Sequence, residues 1–256
     1  MIHDHAIVDP AAEVADDVEI GPFCVIGPDV TIGSGTRIGP HTVIRGPCTI
    51  GRDNRIFSFA SIGEGPQDLK YADEPTRLEI GDRNTIREYV TLNRGSAHGT
   101  GLTRIGDDNM FMAYSHVAHD CLVGSHTVFA NCASLAGHVD IGDWAILGGF
   151  SGIHQYCRVG EHSFAGMGSM VSRDVPPYVI VAGNHARSYG INKNGLKRRG
   201  FSPRAIRALH GAYMALFKSR GTRADARSRV DKLAAEFPEV RRLVEFLDDS
   251  QRGIVR

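Results

Sequence analysis

The chain has 256 residues and a mass of 27.8 kDa, with 30 glycines and only 7% aromatic residues. So few aromatic anchors in so long a chain argue against one conventional compact core and favour an elongated or repetitive body. The 29 basic and 29 acidic residues cancel, which excludes a polybasic nucleic-acid coat and an acidic disordered tail. The charged first residues and the lack of a long apolar run predict a cytoplasmic protein without stable membrane insertion.

A six-residue repeat of aliphatic residues organises most of the chain. Between Val8 and Val171 it has 25 positions, of which 22 are Ile, Val or Leu. Small residues recur four positions later, and glycine often follows the aliphatic residue directly, which we attribute to sharp turns that need freedom in φ. This period excludes a helix and predicts a solenoid of short parallel strands, with eighteen residues in each triangular coil.

The repeat has two interruptions and an end. Insert loops are expected at about residues 64–79 and 94–104, and the repeat stops near Val175. Helix signals follow, namely Ser202 before Pro203, a capping box at Thr222, and Pro238. We therefore predict a mainly β domain over residues 1–180, followed by a basic connector and a small C-terminal α-helical domain over residues 181–256.

Residues eighteen apart in such a solenoid stack in a column. His119, Gly137 and Gln155 form one column, and its neighbours are Asp120, His138, Tyr156 and Ala118, Ala136, His154. Three histidines, a carboxylate and a glycine N–H thus meet on one wall, which is typical of a general base beside an oxyanion site. We interpret the remaining histidines singled out here as solvated surface residues: His3, His5, His41, His126, His162 and His210.

Two other interpretations of the wall remain open. A zinc lyase resembling the γ-class carbonic anhydrases would use His116, His119 and His138 as ligands, although we favour a metal-free base without a cofactor. A non-catalytic scaffold would tolerate substitution of His119. The five cysteines form no C-x-x-C pair and are interpreted as small core residues, with Cys121 pointing inward.

A basic segment lies beyond the repeat. From Val175 to Ala224 there are ten Lys or Arg residues and no Asp or Glu. A solvated basic face is the ordinary meaning of such a segment, but its place beside the wall indicates anionic partners, namely a diphosphate and an acidic carrier protein. No aromatic interleaving or reading module accompanies the charge, so nucleic acid is not expected.

Several motifs resemble one family. They are SHVAHDC, LAGHV, IHQYC, QDLKYADEPTR, DVPPYVI, GNHA and GLKRRGFS, and they are similar to those of the UDP-N-acetylglucosamine O-acyltransferases of lipid A biosynthesis, a branch of the hexapeptide-repeat transferases. The resemblance implies a left-handed β-helix and transfer of an R-3-hydroxyacyl group from acyl carrier protein to the 3-hydroxyl of UDP-N-acetylglucosamine. It also implies a homotrimer with its sites between subunits. The related N-acyltransferases are disfavoured because they carry an additional N-terminal domain.

The resemblance also assigns roles to residues. His119 would be the general base, Asp120 would orient it, and the Gly137 N–H would meet the oxyanion. Asn192, Arg198 and Arg199 fall at the uridine-diphosphate positions, whereas Asn194 stands where many relatives carry an acid. Further substrate contacts are assigned to Asp68, Lys70, His116, His138, His154 and Gln155.

Met167 corresponds to the acyl-chain ruler of this family. A glycine there admits longer chains, so methionine predicts a preference for 3-hydroxydecanoyl over 3-hydroxytetradecanoyl carrier protein. On the sequence alone, Met167 as a core filler remains an alternative. No covalent intermediate is expected, because a buried Cys121 thiol is a poor nucleophile.

Overall fold

The computed structural model describes residues 1–219 and 222–256 and shows a prism of short parallel strands. Each hexapeptide contributes one strand, and every third strand joins the same sheet. The result is the left-handed parallel β-helix that the resemblance implies, with helices at its C-terminal end. We call its three sheets faces 1, 2 and 3, and the edges where they meet corners 1–2, 2–3 and 3–1.

Within the described residues, the three faces contain nine, eight and ten strands. Face 1 consists of β1 (Ile7–Val8), β4 (Val25–Ile26), β7 (Val43–Ile44), β10 (Ser61–Glu64), β13 (Thr91–Asn93), β16 (His116–Val117), β19 (Ser134–Leu135), β22 (Gly152–Ile153) and β25 (Met170–Val171). Face 2 consists of β2 (Glu13–Val14), β5 (Val30–Ile32), β8 (Cys48–Ile50), β11 (Arg77–Ile80), β14 (Leu102–Ile105), β17 (Leu122–Val123), β20 (Asp140–Ile141) and β23 (Arg158–Val159). Face 3 consists of β3 (Glu19–Ile20), β6 (Arg37–Ile38), β9 (Arg55–Ile56), β12 (Thr85–Ile86), β15 (Met110–Phe111), β18 (Val128–Phe129), β21 (Ile146–Leu147), β24 (Phe164–Ala165), β26 (Val179–Ala182) and the antiparallel β27 (Arg187–Ile191).

The predicted repeat fills the interior of the prism. All of its positions are buried except Val8 and Val14, which are half-buried near the N-terminal end of the β-helix. Four of the five cysteines are buried, and none forms a disulfide. Cys132 is the exception to the core interpretation, because it lies half-buried at corner 3–1 with a φ of 62°.

The explanation of the glycines by φ freedom was wrong for most of them. Left-handed φ values occur instead at the corners, three residues after an aliphatic position, as at Asp120 (58°) and His138 (61°). Glycine after the aliphatic residue serves close approach between coils: a Cβ on Gly33 would lie 2.8 Å from the carbonyl carbon of Gly51. Most corners therefore carry one left-handed residue.

Both insertions leave the β-helix at corner 1–2. The structure narrows them to residues 65–76 and 94–101, because β11 and β14 already include the last residues of the predicted ranges. Ile50 pairs with Ile80 and Ile80 with Ile105, so the coils that contain the insertions span 30 and 25 residues instead of eighteen. The aliphatic positions stay in register, and the extra residues lie outside the prism.

The predicted domain boundary after residue 180 falls inside β26, which pairs with β24. The segment predicted as a basic connector contains β27 and a short helix. The helices are α1 (Lys193–Arg198), α2 (Pro203–Tyr213), a π-helical turn (Met214–Lys218), α3 (Arg223–Glu236) and α4 (Pro238–Asp249). Ser202 caps α2 and Thr222 forms the capping box of α3, as predicted. Among the described residues, no helix is both long and apolar enough to span a bilayer.

We expect Gly33→Ala to destabilise the protein more than Gly27→Ala, although both glycines follow an aliphatic residue. The added Cβ would meet backbone at 2.8 Å in the first case but only at 3.4 Å in the second. Overpacking of this kind costs about 1–3 kcal/mol. Thermal unfolding of the two variants checks this, and equal midpoints would contradict the close-approach explanation.

Candidate active site

Corner 1–2 gathers most of the residues predicted for the site. The backbone N–H of His138 donates to the carbonyl of His119 (3.0 Å), and that of Tyr156 donates to the carbonyl of Gly137 (3.2 Å). These bonds align residues eighteen apart, as the columns predicted. The predicted site residues at this corner are Asp68, Lys70, His119, Asp120, Gly137, His138, His154 and Gln155.

His119 and Asp120 form a hydrogen-bonded pair. The imidazole Nδ1 lies 2.8 Å from Oδ2 of Asp120, and the carboxylate is fully buried. A carboxylate only accepts hydrogen bonds, so Nδ1 carries the hydrogen and Nε2 has a free lone pair. This is the tautomer that a general base requires.

The carboxylate of Asp120 is held by six hydrogen bonds. Oδ2 accepts from the backbone N–H and the hydroxyl of Ser96 and from His119. Oδ1 accepts from the backbone N–H and the hydroxyl of Thr100 and from the N–H of Gly101. The second insert loop therefore encloses the carboxylate.

The pKa of Asp120 and the packing of Gly99 both reflect this enclosure. Burial alone raises the pKa of Asp120, but the hydrogen bonds from Ser96 and His119 outweigh it, so the pKa lies below its usual range. Gly99 packs so closely that a Cβ there would lie 2.4 Å from the carboxyl carbon. Asp120 is thus kept ionised in a site built for its charge.

Gly137 lies directly under the imidazole. A Cβ on this residue would lie 2.5 Å from Cε1 and 2.7 Å from Nε2 of His119, so a larger residue would displace the ring. Gly137 is buried, and its N–H makes no hydrogen bond to the described part of the chain. A free N–H on a residue that packs against the imidazole suits an oxyanion donor.

His138 stands next to this pair. Its ring stacks on Tyr156 (4.5 Å between centroids) and meets the ring of His119 edge-on (5.1 Å). Burial lowers the pKa of His138. The charges of Asp120 and of Asp68, which lies in the first insert loop, oppose that shift. Lys70, two residues further along that loop, is exposed.

Two residues predicted to contact substrate, His116 and His154, have partners other than His119 and Asp120. His116 lies on the outer surface of face 1, where its Nδ1 is 2.7 Å from the hydroxyl of Thr91 and burial lowers its pKa. His154 is exposed, with Nδ1 3.1 Å from the carbonyl of Gln155 and 3.5 Å from the guanidinium of Arg252. Of the four predicted site histidines, all within the described residues, only His119 and His138 therefore have rings in contact with each other.

His119, Asp120 and His138 are also spaced as metal ligands, with their ligand atoms within 4.8 Å of one another. The donors around Asp120 argue against that use, because a cation would have to compete with six hydrogen bonds for the carboxylate. The third histidine of the zinc interpretation, His116, is engaged with Thr91. The geometry favours a base over a ligand set.

The predicted nucleotide residues lie on another side of the prism. Asn192, Arg198 and Arg199 line a pocket of about 480 Å³ between α1 and face 3. Its floor is apolar, formed by Ile146, Phe164, Ile180 and Ile191, and its rim is cationic. In a triangular prism, corner 1–2 is opposite face 3, so this pocket and His119 of one chain face in opposite directions.

Met167 occupies corner 3–1, at the other edge of face 1 from His119. Its side chain is 79% exposed, so the core-filler interpretation was wrong. Cys121 is fully buried as predicted, its thiol lies 3.2 Å from the carbonyl of Ala136, and burial raises its pKa to about 12.

Sequence reasoning missed the residues that hold Asp120. Ser96, Gly99 and Thr100 belong to an insertion that interrupts the repeat one coil before His119. The sequence shows where this insertion interrupts the repeat, and that position places it at corner 1–2, where His119 also lies. The sequence does not show in which direction the loop folds.

Comparison with known proteins identifies relatives over the whole chain. A family model described as UDP-N-acetylglucosamine O-acyltransferase, domain 2, matches residues 174–255, and the bacterial transferase hexapeptide model matches residues 29–56 and 102–137. Acyl-[acyl-carrier-protein]–UDP-N-acetylglucosamine O-acyltransferases from Thiobacillus denitrificans and Burkholderia lata are 59% and 56% identical, each match covering 100% of this chain and 99% of the relative.

Solved structures agree with this relationship. The UDP-N-acetylglucosamine O-acyltransferase of Moraxella catarrhalis is 45% identical with a TM-score of 0.97, and the match covers 100% of this chain and 99% of that one. The UDP-N-acetylglucosamine acyltransferase of Francisella novicida is 41% identical with a TM-score of 0.97, covering 100% and 94%. The chain is therefore an acyltransferase of the UDP-N-acetylglucosamine O-acyltransferase family.

Proposed function

We propose that the protein transfers an R-3-hydroxyacyl group from acyl carrier protein to the 3-hydroxyl of UDP-N-acetylglucosamine, the first step of lipid A biosynthesis. Relatives more than half identical carry the names of both substrates. The observation that carries the proposal is the His119 ring, whose Nδ1 is held by a buried carboxylate and whose Nε2 lies against Gly137. The predicted cytoplasmic location stays a prediction.

The geometry supports direct transfer. Nε2 of His119 takes the proton of the sugar hydroxyl as its oxygen attacks the thioester carbon, and the Gly137 N–H donates to the carbonyl oxygen as that oxygen gains negative charge. When the C–S bond breaks, the imidazolium returns the proton to the carrier-protein sulfur. Asp120 stabilises the imidazolium throughout. No covalent enzyme intermediate is needed, since the Cys121 thiol is buried.

The remaining contacts follow the family pattern. The pocket between α1 and face 3 suits a nucleoside diphosphate, because apolar side chains form its floor and Arg198 and Arg199 lie on its rim. Near the base, Asp68, Lys70, His138 and Gln155 would contact the sugar or the acyl chain. His116 and His154 lie on face 1 and at corner 1–2 and would border the same substrates.

We further propose a homotrimer in which each site is shared between two subunits. The base and the nucleotide pocket of one chain face in opposite directions, so one substrate molecule can reach both only if a neighbour supplies one of them. Corner 3–1 also exposes a ladder of stacked rings that a neighbouring subunit would cover, formed by His5, Phe23, His41, Phe59, Tyr89 and Tyr114.

Asp120→Asn should lower kcat by about 10²-fold or more. Both carboxylate oxygens accept hydrogen bonds from donors only, so the NH₂ group of an asparagine would face donors in either orientation of the amide. Steady-state assays with UDP-N-acetylglucosamine and 3-hydroxyacyl carrier protein measure this. Asp140→Asn, a partly buried aspartate on face 2, is the matched control. Near-normal turnover of Asp120→Asn would remove Asp120 from the mechanism.

His119→Ala should lose about two or more decades of kcat with its fold intact, because the general base is absent. Arg199→Ala should be slow at low UDP-N-acetylglucosamine. Random trimers of equal amounts of these two variants should recover about one quarter of wild-type activity, since a site is complete only where an intact His119 meets an intact Arg199 of the neighbour.

The matched control for this mixture combines His119→Ala with Asp120→Asn. Both changes disable the same corner of the same chain, so this second mixture should recover nothing. If the first mixture also recovers nothing, sites shared between subunits are disproved. Normal turnover of His119→Ala would remove the proposed base.

Met167→Gly should relax the donor preference toward 3-hydroxytetradecanoyl carrier protein, because it deletes an exposed side chain at the proposed end of the acyl groove. The ratio of kcat/KM for the 10-carbon and 14-carbon donors is the measurement, and the wild type should favour the shorter one. Met214→Ala, an exposed methionine beyond α2, is the control. An unchanged donor profile would remove the ruler assignment.

A further inference from the structure

Arg199 is held in place by the corner of the β-helix. Its guanidinium carbon lies 5.2 Å from the centroid of the Trp144 ring, and Nη1 lies 3.3 Å from Nδ1 of His162. Arg198 is different: it is exposed, and its Nε donates only to the carbonyl of Asn194, at 3.3 Å, within its own helix. Of these two neighbouring arginines on the pocket rim, Arg199 therefore has less conformational freedom than Arg198.

Trp144 and His162 belong to a stack of rings along corner 2–3. Their planes are 3° apart with centroids 6.1 Å apart, His126 stacks on Trp144 from below, and Tyr178 follows above His162. All four residues have left-handed φ values between 56° and 69°. The coil spacing thus fixes both rings that contact Arg199.

His162 is not the solvated histidine that the sequence predicted. It is 9% exposed, and the edge of Phe201 covers its ring at 4.9 Å. Arginine only donates hydrogen bonds, so Nδ1 of His162 must be the acceptor and the hydrogen is on Nε2. Burial, followed by the charge of Arg199, lowers its pKa to about 4, which keeps the ring neutral near pH 7.

His162 also holds a second pocket residue. Its backbone carbonyl accepts a hydrogen bond from the side-chain Nδ2 of Asn192 at 3.0 Å. The Oδ1 of Asn192 in turn accepts from the N–H of Gly195 and caps α1. One corner residue therefore contacts both Asn192 and Arg199, two of the residues that the family pattern assigns to the nucleotide.

We infer that Trp144 and His162 are positioning residues that hold the Arg199 guanidinium ready for the diphosphate of the nucleotide sugar. The inference rests on the proposed function, which places the nucleotide in this pocket. An arginine fixed before binding loses less conformational freedom when the anion arrives, and the neutral imidazole leaves its positive charge uncancelled. A purely structural role, in which Arg199 only fastens the C-terminal segment to the β-helix, is the competing explanation.

Four substitutions test the inference. Trp144→Asn removes the ring with a residue that tolerates left-handed φ, whereas Trp144→Phe keeps an aromatic face. His162→Phe keeps the stacked ring but removes the acceptor, and the chain already places phenylalanine at such corners, as at Phe23 and Phe59. Arg199→Ala removes the guanidinium itself.

We expect Trp144→Asn and His162→Phe each to raise KM for UDP-N-acetylglucosamine about threefold to tenfold. KM for the acyl carrier protein and the thermal midpoint should stay unchanged, and Trp144→Phe should be close to wild type. Adding Trp144→Asn to Arg199→Ala should raise KM no further, because the ring acts through the arginine.

The outcomes distinguish the placement of the nucleotide in this pocket from the positioning role of Trp144 and His162. If Arg199→Ala leaves KM for UDP-N-acetylglucosamine unchanged, the placement of the nucleotide is wrong and the inference falls with it. If Arg199→Ala raises KM but Trp144→Asn and His162→Phe do not, only the positioning role is disproved. A lower thermal midpoint with unchanged KM assigns the stack a structural role and also overturns the inference. His162→Phe decides the question if Trp144→Asn does not fold.

Discussion

The hydrogen bonding of each coil to the next is the constraint on which the whole site depends. Strand N–H groups donate to a carbonyl of the following coil, as from His116 to Ala133, and corner N–H groups donate to a carbonyl of the preceding coil, as from His138 to His119. Side chains distant in sequence are therefore aligned to within one strand spacing. At the corners the chain adopts left-handed φ values, which turn the corner side chain outward. Asp120 and His138 occupy such positions, and His119 and Gly137 directly precede them.

The sequence period was sufficient to predict the interior and the columns. It predicted which residues point inward, that Cys121 is buried, and that His119 lies beside Gly137. It did not explain the glycines, because the distance between neighbouring coils is a property of the stack and not of one hexapeptide. Nor did it show that Ser96 and Thr100 enclose Asp120, since the path of an insertion depends on the surface on which it folds.

His162 is a second residue whose environment could not be predicted from the repeat alone. A histidine at a corner of the repeat reads as a surface residue, and His41 is one. His162 is buried because the chain returns through Asn192, Arg199 and Phe201 to cover corner 2–3. The contact joins residues 37 positions apart, so no local pattern predicts it.

The arrangement of the site divides the chemistry between two regions of the chain. In the proposed mechanism, corner 1–2 supplies the base and the oxyanion donor, while face 3 with α1 supplies a cationic pocket. In each region a catalytic or binding side chain is fixed by neighbours that need not touch substrate: the second insert loop holds Asp120, and the ring stack of corner 2–3 holds Arg199. A rigid β-helix suits this division, because its strands keep both regions in a constant relation within each subunit.

A crystal structure of the protein with UDP-N-acetylglucosamine bound tests this account most directly. We expect one nucleotide sugar spanning two subunits, with its diphosphate at Arg198 and Arg199 of one chain and its 3-hydroxyl within hydrogen-bond distance of His119 Nε2 in the neighbour. A nucleotide sugar contacting His119 and Arg199 of the same chain, or bound away from both, would contradict it.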